Sequence, residues 1–295
     1  MNTSKKNLKI ITCADDFGIS SEINKGIIEA HSKGILTSTA LLVNAPKTQE
    51  AMELAQNHPS LEVGLHLSIV EGIALTGNRF PELLDEYSYF SGSPCLQRNW
   101  KKFLIAFFCN KISKQALKEE LETQIQFFLK NFPSIPFLNG TQHLHLFPSV
   151  NDIVIDLCKK YHINTVRTFT TNSYLQISSF RSAQESILKI LSHQFQKKSK
   201  NSDIRFTNSF YGFCEGGQLS TKKLLRILSN LPNSGTHEIM FHPGYDCPYL
   251  RSILPEGYSS YQWETELHAL CDLDVKTFLQ NNSITLGRFS QLEKN

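Results

Sequence analysis

Short apolar, β-branched runs alternate with amphipathic helical segments along almost the whole chain, and few folds accommodate that order. The runs at 8–13, 37–43, 61–67, 137–146, 164–169, 204–211, 237–241 and 284–286 read as strands. Between the first two, Ser20 and Ser21 are candidate N-caps, Ile23, Ile27 and Ala30 recur at helical spacing, and Gly34 is a stop. Pro46 opens a helix to about Asn57. Leu117, Leu121, Ile125 and Phe128 form the buried stripe of a helix over 113–130, with Lys and Glu opposite. Further helices are expected over 150–161, 182–196, 220–230 and 261–280. Strands separated by helices pair in parallel. With seven or eight strands, no composition shift and no fixed-period repeat, the expectation is one domain over 1–295, a (β/α) barrel of about seven strands, regular or distorted.

One stretch breaks the rhythm. Residues 71–110 carry Gly, Pro and Ser turn residues and an aromatic helix with Trp100, Phe103 and Phe107 on one face. An insertion of this length reads as a lid, as an interface element that could serve a homodimer, or as a satellite core under a long loop.

Composition narrows the class. A hydrophobic content of 40% supports a substantial core, and a net charge of +3 with scattered Lys and Arg argues against nucleic acid as a partner. Seven cysteines without a CxxC pair suit a reducing compartment rather than a disulfide framework. Residues 1–9 lack an apolar signal core and no apolar run approaches a membrane span, so a soluble cytoplasmic protein is expected. The absence of a Walker loop, of GxGxxG after a strand and of GxSxG disfavours a P-loop NTPase, a Rossmann oxidoreductase and a serine hydrolase.

The informative residues are polar ones at strand ends. The first strand runs into Asp15-Asp16 before Phe17-Gly18, a pattern that taken alone also suits a turn. Asn44, His66, His143 with His145, Arg167 and His242 each lie at or near the C-terminal end of a different predicted strand. In a parallel barrel those ends open on one face, where active sites sit. Alternation along the fourth strand puts Thr141, His143 and His145 on one side. Carboxylate and imidazole without thiolate suit a divalent ion such as Zn²⁺, Mn²⁺ or Mg²⁺ with open positions for water.

These stretches resemble the YdjC-like carbohydrate deacetylase family, which includes the chitooligosaccharide deacetylases. The resemblance is carried by Ala14-Asp15-Asp16-Phe17-Gly18, Asn24-Lys25-Gly26-Ile27, Gly34-Ile35-Leu36-Thr37-Ser38-Thr39, Asn44, Gly64-Leu65-His66 and His143-Leu144-His145-Leu146-Phe147-Pro148, and more loosely by Glu238 to Gly244. It implies a barrel related to polysaccharide deacetylases and hydrolysis of an N-acetyl group from an amino sugar or short oligosaccharide. By position, Asp16 and His66 would be metal ligands and Asp15 the base for the attacking water. His242 would be the acid for the leaving amine or a group orienting that acid. Asn44 and His145 would contact substrate, and Arg167 would either hold Asp15 ionised, contact substrate or form a rim salt bridge. The family's third metal-ligand position, usually His, is Thr141 here. Three readings follow: His143 substitutes as ligand, water fills the position, or the chain has lost catalysis and keeps a sugar-binding or regulatory role.

Overall fold

The computed structural model describes residues 7–85, 92–97, 99–170, 179–254 and 258–293. Residues 1–6, part of the stretch read as lacking a signal core, and residues 86–91 and 98 of the insertion lie outside the described residues. The element order is β1 (Leu8–Phe17), α1 (Ser21–Lys33), β2 (Ser38–Leu41), α2 (Thr48–Asn57), β3 (Glu62–Leu67), α3 (Trp100–Phe108), α4 (Lys114–Asn131) and β4 (Leu138–Gly140). There follow α5 (Val150–Lys160), α6 (Ser179–Lys198), β5 (Ser209–Tyr211), α7 (Thr221–Ser229), β6 (Gly235–Phe241), α8 (Pro248–Ile253), α9 (Trp263–Cys271), α10 (Leu273–Asn281) and β7 (Thr285–Leu286).

The strands form a curled parallel sheet in the order β4-β3-β2-β1-β6-β5, with β7 added beside β1. β1 is central and buried on both faces apart from Lys9, which is why its first part, to Ala14, carries apolar residues on both faces. The two sheet edges approach each other through the extended stretch 164–170. Its backbone bonds β4 on one side (Leu138 N to Thr165 O, 2.9 Å; Arg167 N to Leu138 O, 2.9 Å). On the other side it bonds the chain entering β5 (Arg205 N to Asn164 O, 2.8 Å; Phe210 N to Thr170 O, 3.0 Å). The expected fifth strand is thus present as sparse bridges, and the sheet curls into the distorted barrel anticipated from the alternation.

Local signals set the helices. The Ser20 hydroxyl accepts from Ile23 N at 3.2 Å, capping α1, whose Ile23, Ile27 and Ala30 are buried. The expected single C-terminal helix is two, because the Asp272 side chain accepts from Asp274 N at 2.9 Å and caps a new helix there. In the insertion, Phe103, Leu104 and Phe107 of α3 join the main core while Ile105 and Phe108 face outward. The loop before α3 is tied down by Glu120, which accepts from Leu75 N, Thr76 N and the Thr76 hydroxyl. Among the described residues no helix is long and apolar enough to cross a membrane.

Gly26 of α1 faces Gly244, just beyond β6, and a Cβ at Gly26 would lie 2.4 Å from the Gly244 Cα. That contact is backbone, so it cannot move aside as a side chain can. Gly26→Ala gains about 1 kcal/mol of helix propensity, but overpacking typically costs about 1–3 kcal/mol. The variant is expected to be less stable than wild type in urea unfolding; equal or higher stability would show that α1 can shift away from the β6 end.

Candidate functional site

The site is built on a bulge in β1. The β1–β2 register shifts between Ala14 and Phe17, and Asp16 adopts a left-handed φ of 67°. Asp tolerates that conformation better than most residues. On a regular strand, neighbours point to opposite faces; the bulge brings both Asp15 and Asp16 to the lining of one cavity. The turn reading is also satisfied, since Ile19 N donates to Asp16 O and Gly18 follows with φ 104°. Strand end and turn are one feature.

Asp15 is locked. The buried Arg167 guanidinium donates to its Oδ2 through Nη1 at 2.5 Å and to its Oδ1 through Nη2 at 2.9 Å, and its Nε donates to Glu238 Oε1 at 2.6 Å. Burial by itself would raise Asp15, but Arg167 outweighs it, with help from His66, and holds the carboxyl well below the usual carboxylate range. Glu238 responds the other way: burial dominates and pushes it up to about 7. Among the described residues its Oε2 has no hydrogen-bond partner, which leaves room for a proton there.

Asn139 couples Asp15 to His66. Its Nδ2 donates to Asp15 Oδ1 at 3.0 Å, and its Oδ1 lies 2.6 Å from His66 Nδ1. An ionised carboxylate only accepts, so the amide orientation is fixed by the network and Oδ1 must accept from His66 Nδ1–H. The other ring nitrogen, Nε2, then faces Asp16 Oδ1 at 3.6 Å. A cation between these two groups, whether a proton on the ring or a divalent ion, suits that contact. Two ligands each about 2.0–2.2 Å from one ion keep a comparable separation. Asp16 and His66 would supply two donors to a divalent ion, with the Asn139 carbonyl orienting the imidazole through its far nitrogen.

Among the described residues no three His, Cys, Asp or Glu side chains gather in a metal-holding group. Thr141 Oγ1 accepts from Ile69 N and donates to Val70 O, both at 3.3 Å. His143 lines the same cavity as Asp16 and His66 but does not gather with them into such a group. The expected strand over 137–146 ends at Gly140, and 141–146 coils tightly with Gln142 and His143 in left-handed conformation, φ 52° and 56°. The alternation that would have aligned Thr141, His143 and His145 stops there. His143 packs among Phe169, Phe210 and Phe213, ring centroids 4.8, 6.1 and 5.5 Å away. Burial, reinforced by Arg167 and His145, holds its pKa well below the usual imidazole value.

Two expected substrate contacts are otherwise engaged. The His145 ring is fully buried, with Nε2–H donating to Arg167 O at 2.9 Å, and it fixes the end of the stretch that carries Arg167. Asn44 Nδ2 donates to Ile73 O at 2.9 Å while the Asn44 backbone carbonyl accepts from Ile73 N at 2.8 Å, so it pins the start of the insertion. Neither lines the cavity. Arg167, completely enclosed, serves Asp15 rather than a ligand.

His242 lines the cavity with Asp15, Asp16 and His66. Its backbone N–H donates to Glu266 Oε2 at 2.5 Å, and its Nδ1 lies 3.7 Å from the same oxygen, a charge pair rather than a hydrogen bond. Burial opposes protonation, but Glu266, Asp16 and Asp15 outweigh it and raise the imidazole pKa. The cavity, of about 320 Å³, has a polar floor and walls that include Trp100, Phe147, Phe213, Tyr258 and Tyr261. Asn139, Glu238 and Glu266 were given no site role from the sequence. For the first two a signal existed: a polar side chain in an otherwise apolar strand needs a buried partner. Glu266 sits on a helix, and nothing local marks it.

Fold and site together define a parallel α/β barrel protein with a carboxylate–imidazole centre at the C-terminal ends of its strands. The chain belongs to the YdjC-like protein family, whose model matches residues 9–281. It is 29% identical over 285 residues to a carbohydrate deacetylase of Vibrio cholerae serotype O1 (strain M66-2), covering 97% of this chain and 96% of that one. A carbohydrate deacetylase of Brevibacillus brevis is 27% identical over 285 residues, covering 97% and 100%. In fold the chain is similar to a putative cellobiose-phosphate cleavage protein of Enterococcus faecalis, with a TM-score of 0.72 at 24% identity, covering 96% and 98%.

The enclosed histidines set an acid limit. Burial holds His145 at about 4 even though its bond to the Arg167 carbonyl favours charge. A depressed histidine contributes stability that is complete above its unfolded pKa, about 6.5, and is lost as pH falls toward the folded value. Relative to His145→Gln, wild type is expected to lose roughly 3 kcal/mol between pH 7 and pH 4. Parallel pH–stability curves for the two proteins would show that His145 is not the group responsible.

Proposed function

We propose that the chain is a carbohydrate deacetylase that removes the acetyl group from an N-acetylated amino sugar or short oligosaccharide, with a divalent ion held by Asp16 and His66. The observation that carries this reading is the chain of contacts Asp15–Asn139–His66–Asp16 at one cavity, which supports different tasks for the two aspartates. When bound, the ion supplies Lewis-acid polarisation of the acetyl carbonyl and stabilises the charge that develops on it. Asp15 takes the proton of the attacking water as the new C–O bond forms. Arg167 keeps Asp15 in the acceptor form, at some cost in basicity. His242, favoured in its protonated form by Glu266 and the two aspartates, donates to the amine as the C–N bond breaks, and acetate leaves. The aromatic walls suit the apolar faces of sugar rings.

A second reading is favoured by Thr141, whose hydroxyl is engaged with the Ile69–Val70 backbone: the chain retains saccharide binding without turnover.

Acetate release from N-acetylglucosamine oligomers separates the two. Release that is abolished by chelator, and reduced at least about a hundredfold by Asp15→Asn, is expected. No acetate from any acetamido sugar with added Zn²⁺, Mg²⁺, Mn²⁺ or Co²⁺ would overturn the deacetylase reading. Saccharide binding by calorimetry under the same conditions would then support the second.

A further inference from the structure

Residues 71–110 break the strand–helix rhythm, and the proposed reaction makes no use of them. Their described parts are woven together by backbone bonds. Ala74 N donates to Pro94 O at 2.9 Å, Leu96 N to Gly72 O at 2.9 Å, Asp85 N to Cys95 O at 2.9 Å and Gln97 N to Leu83 O at 3.0 Å. This small antiparallel patch is fastened to the barrel in two places. Glu120 of α4 holds Leu75 and Thr76, and Phe103, Leu104 and Phe107 of α3 enter the main core. The Asn99 side chain accepts from Lys101 N at 3.0 Å and from Lys102 N at 3.2 Å, which fixes where α3 begins. Trp100 is the first residue of α3, so its indole is carried by a segment held on both sides of it.

That indole lines the cavity of Asp15, Asp16, His66 and His242. The cavity is graded in depth. Asp15, Asp16, His66 and His242 are 3%, 5%, 3% and 6% exposed. Trp100 is only partly buried, and Ile187 of α6, which lines the same cavity, is 54% exposed. The polar groups thus form the floor, and two large apolar side chains form the mouth. Arg181 and Gln184 of α6 also belong to the lining. Arg181 donates through Nη1 to Phe213 O and Gly216 O, both at 3.1 Å. Among the described residues, its other nitrogens and the Gln184 amide have no hydrogen-bond partner. A sugar ring has apolar C–H faces and a rim of hydroxyls. An indole suits the faces, and guanidinium and amide donors suit the rim. The Lys101 ammonium lies 5.5 Å from the Trp100 ring centroid, and a cation over one face of an indole leaves the other for a ligand.

We propose that Trp100 is a specificity-determining residue supplied by the insertion: with Ile187 it holds a second sugar ring at the mouth while the acetylated ring lies on the floor, so that a disaccharide is preferred to a monosaccharide. The proposal rests on the carbohydrate deacetylase reading and adds how the site registers the length of its substrate. The insertion then works as a fixed wall of the cavity rather than as a moving cover.

The test titrates the full chain with N-acetylglucosamine and with the β-linked dimer of the same sugar, within the time before acetate release is measurable. Binding is followed by calorimetry and by the emission of the two tryptophans, Trp100 and Trp263. Trp263 is 1% exposed, so a change in emission on ligand binding reports Trp100. Wild type is expected to bind the dimer about tenfold more tightly than the monomer, with a shift in emission. Trp100→Ala is expected to bring the ratio of the two affinities close to unity, and Trp100→Phe, which keeps an aromatic face, to retain most of it. Ile187→Ser changes an exposed position and is expected to lower the ratio several-fold; it decides the question if Trp100→Ala does not fold. An unchanged ratio in Trp100→Ala or in Ile187→Ser, or wild-type emission indifferent to the dimer, would overturn the subsite and leave the deacetylase reading standing wherever acetate is still released. Neither sugar bound and no acetate released would remove both.

Discussion

The buried guanidinium of Arg167 is the interaction on which the rest of the site depends. It lies inside the barrel with two carboxylates, Asp15 and Glu238, from the adjacent strands β1 and β6, and it stacks over Phe210 at 5.3 Å. Enclosing such a group is costly, and removing one partner from a buried ion pair typically costs about 3–5 kcal/mol because the other charge is stranded. Two carboxylates against one guanidinium would leave excess negative charge in a dry interior. Burial corrects this by raising Glu238 to about 7, so it can carry the proton while Asp15, bonded at both oxygens, stays ionised. Neighbouring acidic groups thus acquire opposite tendencies from their surroundings alone.

That division is passed on by Asn139. An amide has one donor end and one acceptor end, so placing it between an ionised carboxylate and an imidazole fixes the imidazole's tautomer. His66 must carry its proton on the Asn139 side and offer Nε2 to Asp16. Asp16 reaches that nitrogen because a bulge turns it to the same side as Asp15. The site's chemistry therefore follows from one buried cation, one amide and one left-handed residue, each held by packing remote from the reacting atoms. On the far wall, Glu266 does for His242 what Arg167 does for Asp15, with the signs reversed.

Much of this was legible in the chain. Parallel architecture follows from alternating strand and helix periodicity, and a parallel barrel gathers its strand ends on one face, so Asp15, Asp16, His66 and His242 could be expected together. The errors share a cause. His143 and His145 were aligned with Thr141 by extending β4 to 146, but the sheet stops at Gly140, where the next segment satisfies its backbone through tight turns instead. Asn44 has the composition of a substrate contact and spends it on the backbone of Ile73. Single helices and strands have local signals; where a polar side chain finds its partner has none.

The sequence by itself determined the layered α/β order, the face on which the site forms and the residue types available to it, because these depend on periodicity and on the ends of strands. Tertiary structure alone decided which aspartate is held ionised, which nitrogen of His66 faces Asp16 and what the Thr141 hydroxyl does. Those outcomes depend on contacts between residues 152, 124 and 73 positions apart for Arg167–Asp15, Asn139–Asp15 and His66–Asn139. At such separations the partner is chosen by how the sheet curls and closes, and the proton then goes where burial and hydrogen bonding leave it.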